Sequence, residues 1–174
     1  EQEPWNFEEN PSELYERLLA PSILLPWAAD LVDLSELGSG GKILDGWKAM
    51  LEICHSTAAR LTWIFCQQGL QFFSDKSAAL AEMNLVLVMN GKLILGVWCS
   101  KEHQPGGNAT ADALERHISA EAGAIRRAPF AFGDAGAIRS LMTGAGFRNV
   151  EGRPTVKKVH FPSAESFTKR YISA

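Results

Sequence analysis

Apolar residues recur at helical spacing in the first part of the chain. Leu14, Leu18 and Leu19, with Glu13 and Glu16 between them, predict a helix over Pro11–Leu19 that Pro21 ends. Pro26–Leu34 reads as a second amphipathic helix, with Trp27, Leu31 and Leu34 on one side. The pattern then alternates between short apolar runs and helical stretches. Lys42–Asp45 is a predicted strand, Trp47–His55 a helix, Leu61–Cys66 a strand, and Ser74–Leu87 a helix with Leu80 and Met83 inward. Asn90-Gly91 turns the chain into Lys92–Trp98, an unbroken apolar run that suits a strand covered on both faces. Such alternation is the signature of an α/β fold with a mostly parallel sheet.

Beyond Trp98 the pattern loosens. Ser100–Thr110 reads as a loop punctuated by Pro105-Gly106-Gly107, and Ala111–Arg127 as a helical insertion. Asp134 is placed to cap a helix running through Met142, closed by Gly144 and Gly146. Phe147–Glu151 and Thr155–Phe161 are expected as strands, antiparallel neighbours joined near Pro154. Ser163 supplies half of a capping box for a last helix, because Ser166 rather than an acid stands three residues on.

Composition changes this picture little. With 174 residues, 46% of them hydrophobic and 21% charged, the chain suits one globular domain, neither disordered nor membrane-spanning. A formal net charge of -3 argues against a general nucleic-acid binder, which needs a positive surface to displace counterions. Cys54, Cys66 and Cys99 stand far apart, without metal-ligand spacing, and are expected as buried or half-buried thiols in a reducing compartment. The first residues are acidic and polar rather than signal-like, so a cytoplasmic location is the expectation.

Three stretches together resemble the class I S-adenosylmethionine-dependent methyltransferases, in particular the small-molecule group similar to ubiquinone/menaquinone-biosynthesis methyltransferases. They are LYERLLAPSILLPWAADLVDLSELGSGGKILD from Leu14, CQQGLQFFSDKSAALAEMNLVLVMNGKLILGVW from Cys66, and APFAFGDAGAIRSLMTGAGFRNVEGRPTVKKVHFPSAESFTKRYISA from Ala128. The resemblance implies a single Rossmann-like domain over residues 1–174. It would have a helical flap over 1–38, a helical insertion over about 108–132, a seven-stranded sheet with an antiparallel last strand, and S-adenosylmethionine as cofactor. The family's glycine-rich loop and acid-ending second strand have no counterpart after Asp45, where Gly46-Trp47 follows at once, and a second join falls near Trp63-Ile64. A central parallel strand is costly to lose, so the resemblance implies further loops after Asp45 and near Trp63.

Candidate site residues follow from the strand ends. Asp45 closes the first strand at the edge where open α/β sheets bind ligands, although a strand-end acid also serves simply to cap a turn. Gln67 and Gln68 follow the Leu61–Cys66 strand, with Gly69 allowing close backbone approach, and are polar candidates for the cofactor's methionine end or the substrate. The resemblance implies that Met50 packs on the adenine and that Tyr15 and Trp27 fold over the site, Tyr15 being the better ligand candidate through its hydroxyl. Phe72, Phe73, Trp98, Phe130 and Phe132 are candidate substrate walls, with core packing as the plainer role.

His55, His103, His117 and His160 are too scattered for a metal site. His103 or His117 could serve as a base, and Arg126 and Arg127 read as surface cations or partners of an acidic substrate. The leading expectation is methyl transfer to a small-molecule acceptor, without nucleic acid or membrane and with a homodimer left open. The rival is a catalytically inactive domain of the same fold, lacking the cofactor loop and serving in binding or dimerisation. A nicotinamide-dependent oxidoreductase shares the first crossover, but the expected reversed last strand pair argues against it.

Overall fold

The computed structural model describes residues 15–35, 42–45 and 60–168. The chain divides into two compact units, Leu34–Pro154 and a unit joining the residues up to Asp33 with those from Thr155 on. The helix expected over Trp47–His55, with Met50, Cys54 and His55, lies outside the described residues.

In the larger unit three strands form a parallel sheet in the order β1-β2-β3: β1 (Ile43–Asp45), β2 (Leu61–Gln67) and β3 (Leu87–Gly96). β2 is central, and Leu61 and Trp63–Cys66 are all buried, so the sheet is covered on both faces there. The complete covering expected of Lys92–Trp98 is not found: Lys92 is exposed and Leu93–Trp98 are half-buried. The reason is position, since β3 pairs with β2 and with no other strand among the described residues. Regular pairing with β2 starts at Lys92, opposite Trp63, after an irregularity that includes Asn90 at φ 64 and Gly91. Trp63 and Ile64 are consecutive paired positions inside β2, opposite Ile43 and Leu44.

One face of the sheet carries the core. Ile64 and Cys66 of β2 meet Leu80, Met83 and Val86 of α2 (Lys76–Val86) and Met142 of α5 (Ala135–Gly144), with Leu93, Leu95 and Val97 packed against them. Leu80 and Met83 stand three residues apart and so share the inward side of α2, as the sequence pattern predicts. Each of these two helices starts on an aspartate cap. The Asp75 carboxylate accepts from Ala78 N–H at 2.8 Å, and the Asp134 carboxylate from Ala137 N–H at 2.7 Å. Asp134→Ala is expected to cost about 1 kcal/mol, read as a lower urea midpoint at unchanged slope. Past α5, Gly146 adopts φ 91, and the Gly146 and Phe147 amides return to the Thr143 and Met142 carbonyls, closing the helix where the glycines predict.

The segment expected as a loop up to Thr110 is helical from Pro105. α3 (Pro105–His117) begins on that proline because the first turn needs no N–H from it and its φ is already set for a helix. The insertion is then broken in two: Ser119 caps α4 (Ala120–Arg127), its hydroxyl accepting from Ala122 N–H at 3.1 Å. α3 and α4 pack tightly at Gly123, where a Cβ would stand 2.8 Å from Glu115 Cβ.

The antiparallel strand pair is not formed. Phe147–Glu151 and Thr155–Phe161 have no ladder, and Val156 and Val159 are 89% and 39% exposed. The segment lacks the apolar face that would hold it on a sheet: Phe147 and Val150 pack on the core, while Arg148, Asn149 and Glu151–Val156 are exposed.

In the smaller unit, Tyr15–Leu24 is wound as a π-helix that runs through Pro21 instead of stopping there. The wider winding shifts the carbonyl that an α-turn would set against the proline ring. α1 (Leu25–Ser35) follows directly, its last two residues counted with the larger unit. Leu34, expected inward, is 46% exposed. Trp27 is half-buried and lies 5.5 Å beneath the Lys157 ammonium, which also pairs with Asp30 at 2.7 Å. The short α6 (Ala164–Phe167) is capped by Ser163, whose hydroxyl accepts from Ser166 N–H at 3.0 Å.

Candidate functional site

The carboxyl edge of the sheet collects the strongest sequence candidates. Asp45 ends β1 opposite Phe65, and β2 continues past it to Gln67, opposite Gly96. Gln68 makes one more sheet-like bond, its N–H donating to the Gly96 carbonyl at 2.7 Å, and then turns the chain with φ 52. That left-handed conformation is uncommon for a side chain of this size. A 3-10 turn, Leu70–Phe72, follows, held by Leu70, which is fully buried in the core.

This turn brings Gln68 and Gln71 together. Gln71 Nε2 donates to Gln68 Oε1 at 3.0 Å, and Gln71 Oε1 is buried without a hydrogen-bond partner. Gln71 did not stand out in the sequence. Its one signal was a spacing of three residues from Gln68, and the contact itself depends on the left-handed turn at Gln68, which precedes the 3-10 turn. Phe72 is 67% exposed, whereas Phe73 packs on the core. Lys76 Nζ donates to the Phe73 carbonyl at 2.9 Å and lies 5.2 Å from the Phe132 ring, tying that half-buried aromatic to the start of α2.

The other aromatic candidates form a separate pair after β3. Trp98 and Phe130 meet edge to face with centroids 6.2 Å apart, and Phe130 is buried against Gly107, where a Cβ would come within 2.8 Å of its ring. Phe130 is therefore a packing residue between α3 and the end of β3. Tyr15 opens the π-helix of the smaller unit.

The charged candidates belong to the helical hairpin. Arg127 pairs with Glu115 at 2.7 Å and Asp112 at 2.5 Å, and these carboxylates hold its guanidinium above the usual arginine value. Both acids come from α3, so Arg127 fastens α4 to α3. His103, His117 and His160 are exposed, and no group of three His, Cys, Asp or Glu side chains among the described residues could hold a metal ion. Cys66 is buried and Cys99 half-buried. Glu102 is held below the usual carboxylate range, chiefly by the Ser100 side chain.

Open α/β sheets bind ligands at the carboxyl edge where strand order reverses, because adjacent connections then part and leave a crevice. Here the order runs β1-β2-β3 in one direction, with no reversal among the described strands. No helix among the described residues is long and apolar enough to cross a membrane. No family model matches the chain, and neither the curated proteins nor the solved structures contain a significant match to it.

Proposed function

We propose that the protein transfers the methyl group of S-adenosylmethionine to a small organic acceptor. The observation that carries this reading is the sheet itself. The three strands resembling the first, fourth and fifth of the methyltransferase sheet lie side by side and parallel, with Asp45, Gln67 and Gln68 at one edge. The donor set suits the cofactor at its carboxylate end, where Gln68 carries an amide nitrogen without a partner among the described residues. Gln67, Gln68 and Asp45 are the residues of the larger unit that would hold it, and the cofactor supplies an activated methyl on a good leaving group. The chain then has to align donor and acceptor and exclude water, which needs neither a nucleophile nor a metal. Phe72 and Phe132 offer apolar surface beside the same edge for an acceptor.

A second reading has its own support. Residues 46–60 alone connect β1 to β2, and the described strands show no reversal of order. Both observations favour a catalytically inactive domain of this fold that serves in binding or dimerisation. Calorimetric titration of S-adenosylmethionine into the 174-residue chain decides between them. Methyl transfer predicts saturable binding that Gln67→Ala weakens by roughly tenfold, the worth of one charge-assisted hydrogen bond. A chain folded by circular dichroism that shows no saturable binding at millimolar ligand leaves the binding domain.

A further inference from the structure

We propose that Gln71 is a positioning residue: it locks the Gln68 amide with its oxygen inward, so that the carboxyl edge presents an N–H donor to a ligand carboxylate. Three observations combine. The Gln68 backbone is held in place on both sides, by its N–H bond to the Gly96 carbonyl and by a φ of 52 that a long side chain adopts only when its surroundings impose it. The Gln68 oxygen is occupied by Gln71 Nε2 at 3.0 Å. The far side of the Gln71 amide is buried, with Oε1 unpartnered.

The polarity of the pair follows from counting unmet groups. With Gln71 Nε2 donating, one buried acceptor goes unmet. Turning both amides round would place an NH2 group, with two donors, in that same buried position. The first arrangement therefore leaves Gln68 Nε2 outermost, with both its hydrogens available. A donor-only group selects an acceptor, and a charged one makes the shorter and stronger bond.

Whether the carboxylate belongs to the cofactor or to the methyl acceptor rests on the proposed methyl transfer; the lock itself does not. The full chain, labelled for NMR at glutamine side chains, is titrated with S-adenosylmethionine, with decarboxylated S-adenosylmethionine and with benzoate. The Gln68 Nε2 resonances should shift with a carboxylate-bearing probe and not with the decarboxylated one. S-Adenosylmethionine against benzoate tells which source is read. In Gln71→Glu the new carboxylate accepts from Gln68 Nε2 and turns its oxygen outward, so the free-state resonances should move and carboxylate affinity should fall roughly tenfold or more. Gln71→Ala, which frees the amide to rotate, should lose less. Unchanged thermal unfolding of both variants separates this from loss of fold.

If benzoate moves Gln68 while S-adenosylmethionine does not bind, the lock stands and methyl transfer falls. If S-adenosylmethionine binds and leaves Gln68 unmoved, the lock falls and methyl transfer stands. Gln68 resonances that respond to no carboxylate probe, or that are indifferent to Gln71→Glu, overturn the proposal.

Discussion

Gly133→Ala is expected to destabilise the larger unit by about 3 kcal/mol, at the upper end of what overpacking costs. A Cβ at Gly133 would overlap Ser100 N and Cys99 C and come within 2.7 Å of Trp98 O. All three are backbone atoms, so no side chain can swing aside. The segment between Phe132 and Asp134 would have to lift away from the end of β3, loosening the Asp134 cap and the Lys76–Phe132 contact together. Gly106→Ala is the internal control. Nothing lies within 4 Å of its added Cβ, and it stands in a helix, so it should stabilise by about 0.5–1 kcal/mol. Urea unfolding of both variants checks the pair, and a Gly133→Ala midpoint equal to that of the parent would mean that the two backbones are not in contact.

Leu80→Ala should cost about 3 kcal/mol, within the 2–5 kcal/mol usual for truncating a fully buried leucine. Leu80 is fully buried in a cluster with Met83, Ile64 and Met142, contributed by two helices and the central strand. Each of these neighbours is held by its own element, so the cavity can collapse only in part. Leu85→Ala on the same helix is the contrast: that side chain is 68% exposed and its loss should stay within about 0.5 kcal/mol. Equal losses for the two would mean that α2 presents a different face to the sheet.

Much of the fold was legible where one local signal sufficed. The inward pair Leu80 and Met83, the Asp134 cap and the closure at Gly146 each depend on a few neighbouring residues, and each stands where the pattern put it; the turn expected at Asn90-Gly91 is instead an irregularity inside β3. What failed depended on distant chain. Thr155–Phe161 carries Val156, Val159 and Phe161 in imperfect alternation, but a strand exists only by pairing, and no strand pairs with it among the described residues. Pro105 marks a turn or a helix start with equal right, and the helical hairpin chose the second.

The candidate site was legible only as far as strand ends go. Gln67 and Gln68 fall at the carboxyl edge because they follow an apolar run, which the sequence displays. The engagement of Gln68 with Gln71 and the burial of Phe130 follow from how the chain turns after the strand and where the hairpin packs. Aromatic residues do not announce in sequence which of them face solvent, so Phe72 and Phe130 look alike there and differ in the fold.

The parallel sheet also orders events in time. No hairpin can start it: each pairing must wait until a connection of a dozen or more residues has closed, which is slow because the entropy of the loop is lost before any contact is gained. The α3–α4 hairpin, by contrast, joins neighbours across Ile118-Ser119 and can form within the first microseconds. During refolding the helical arm is thus assembled ahead of the sheet, while the apolar run Leu93–Trp98 stays open to other chains, so yield should fall as protein concentration rises.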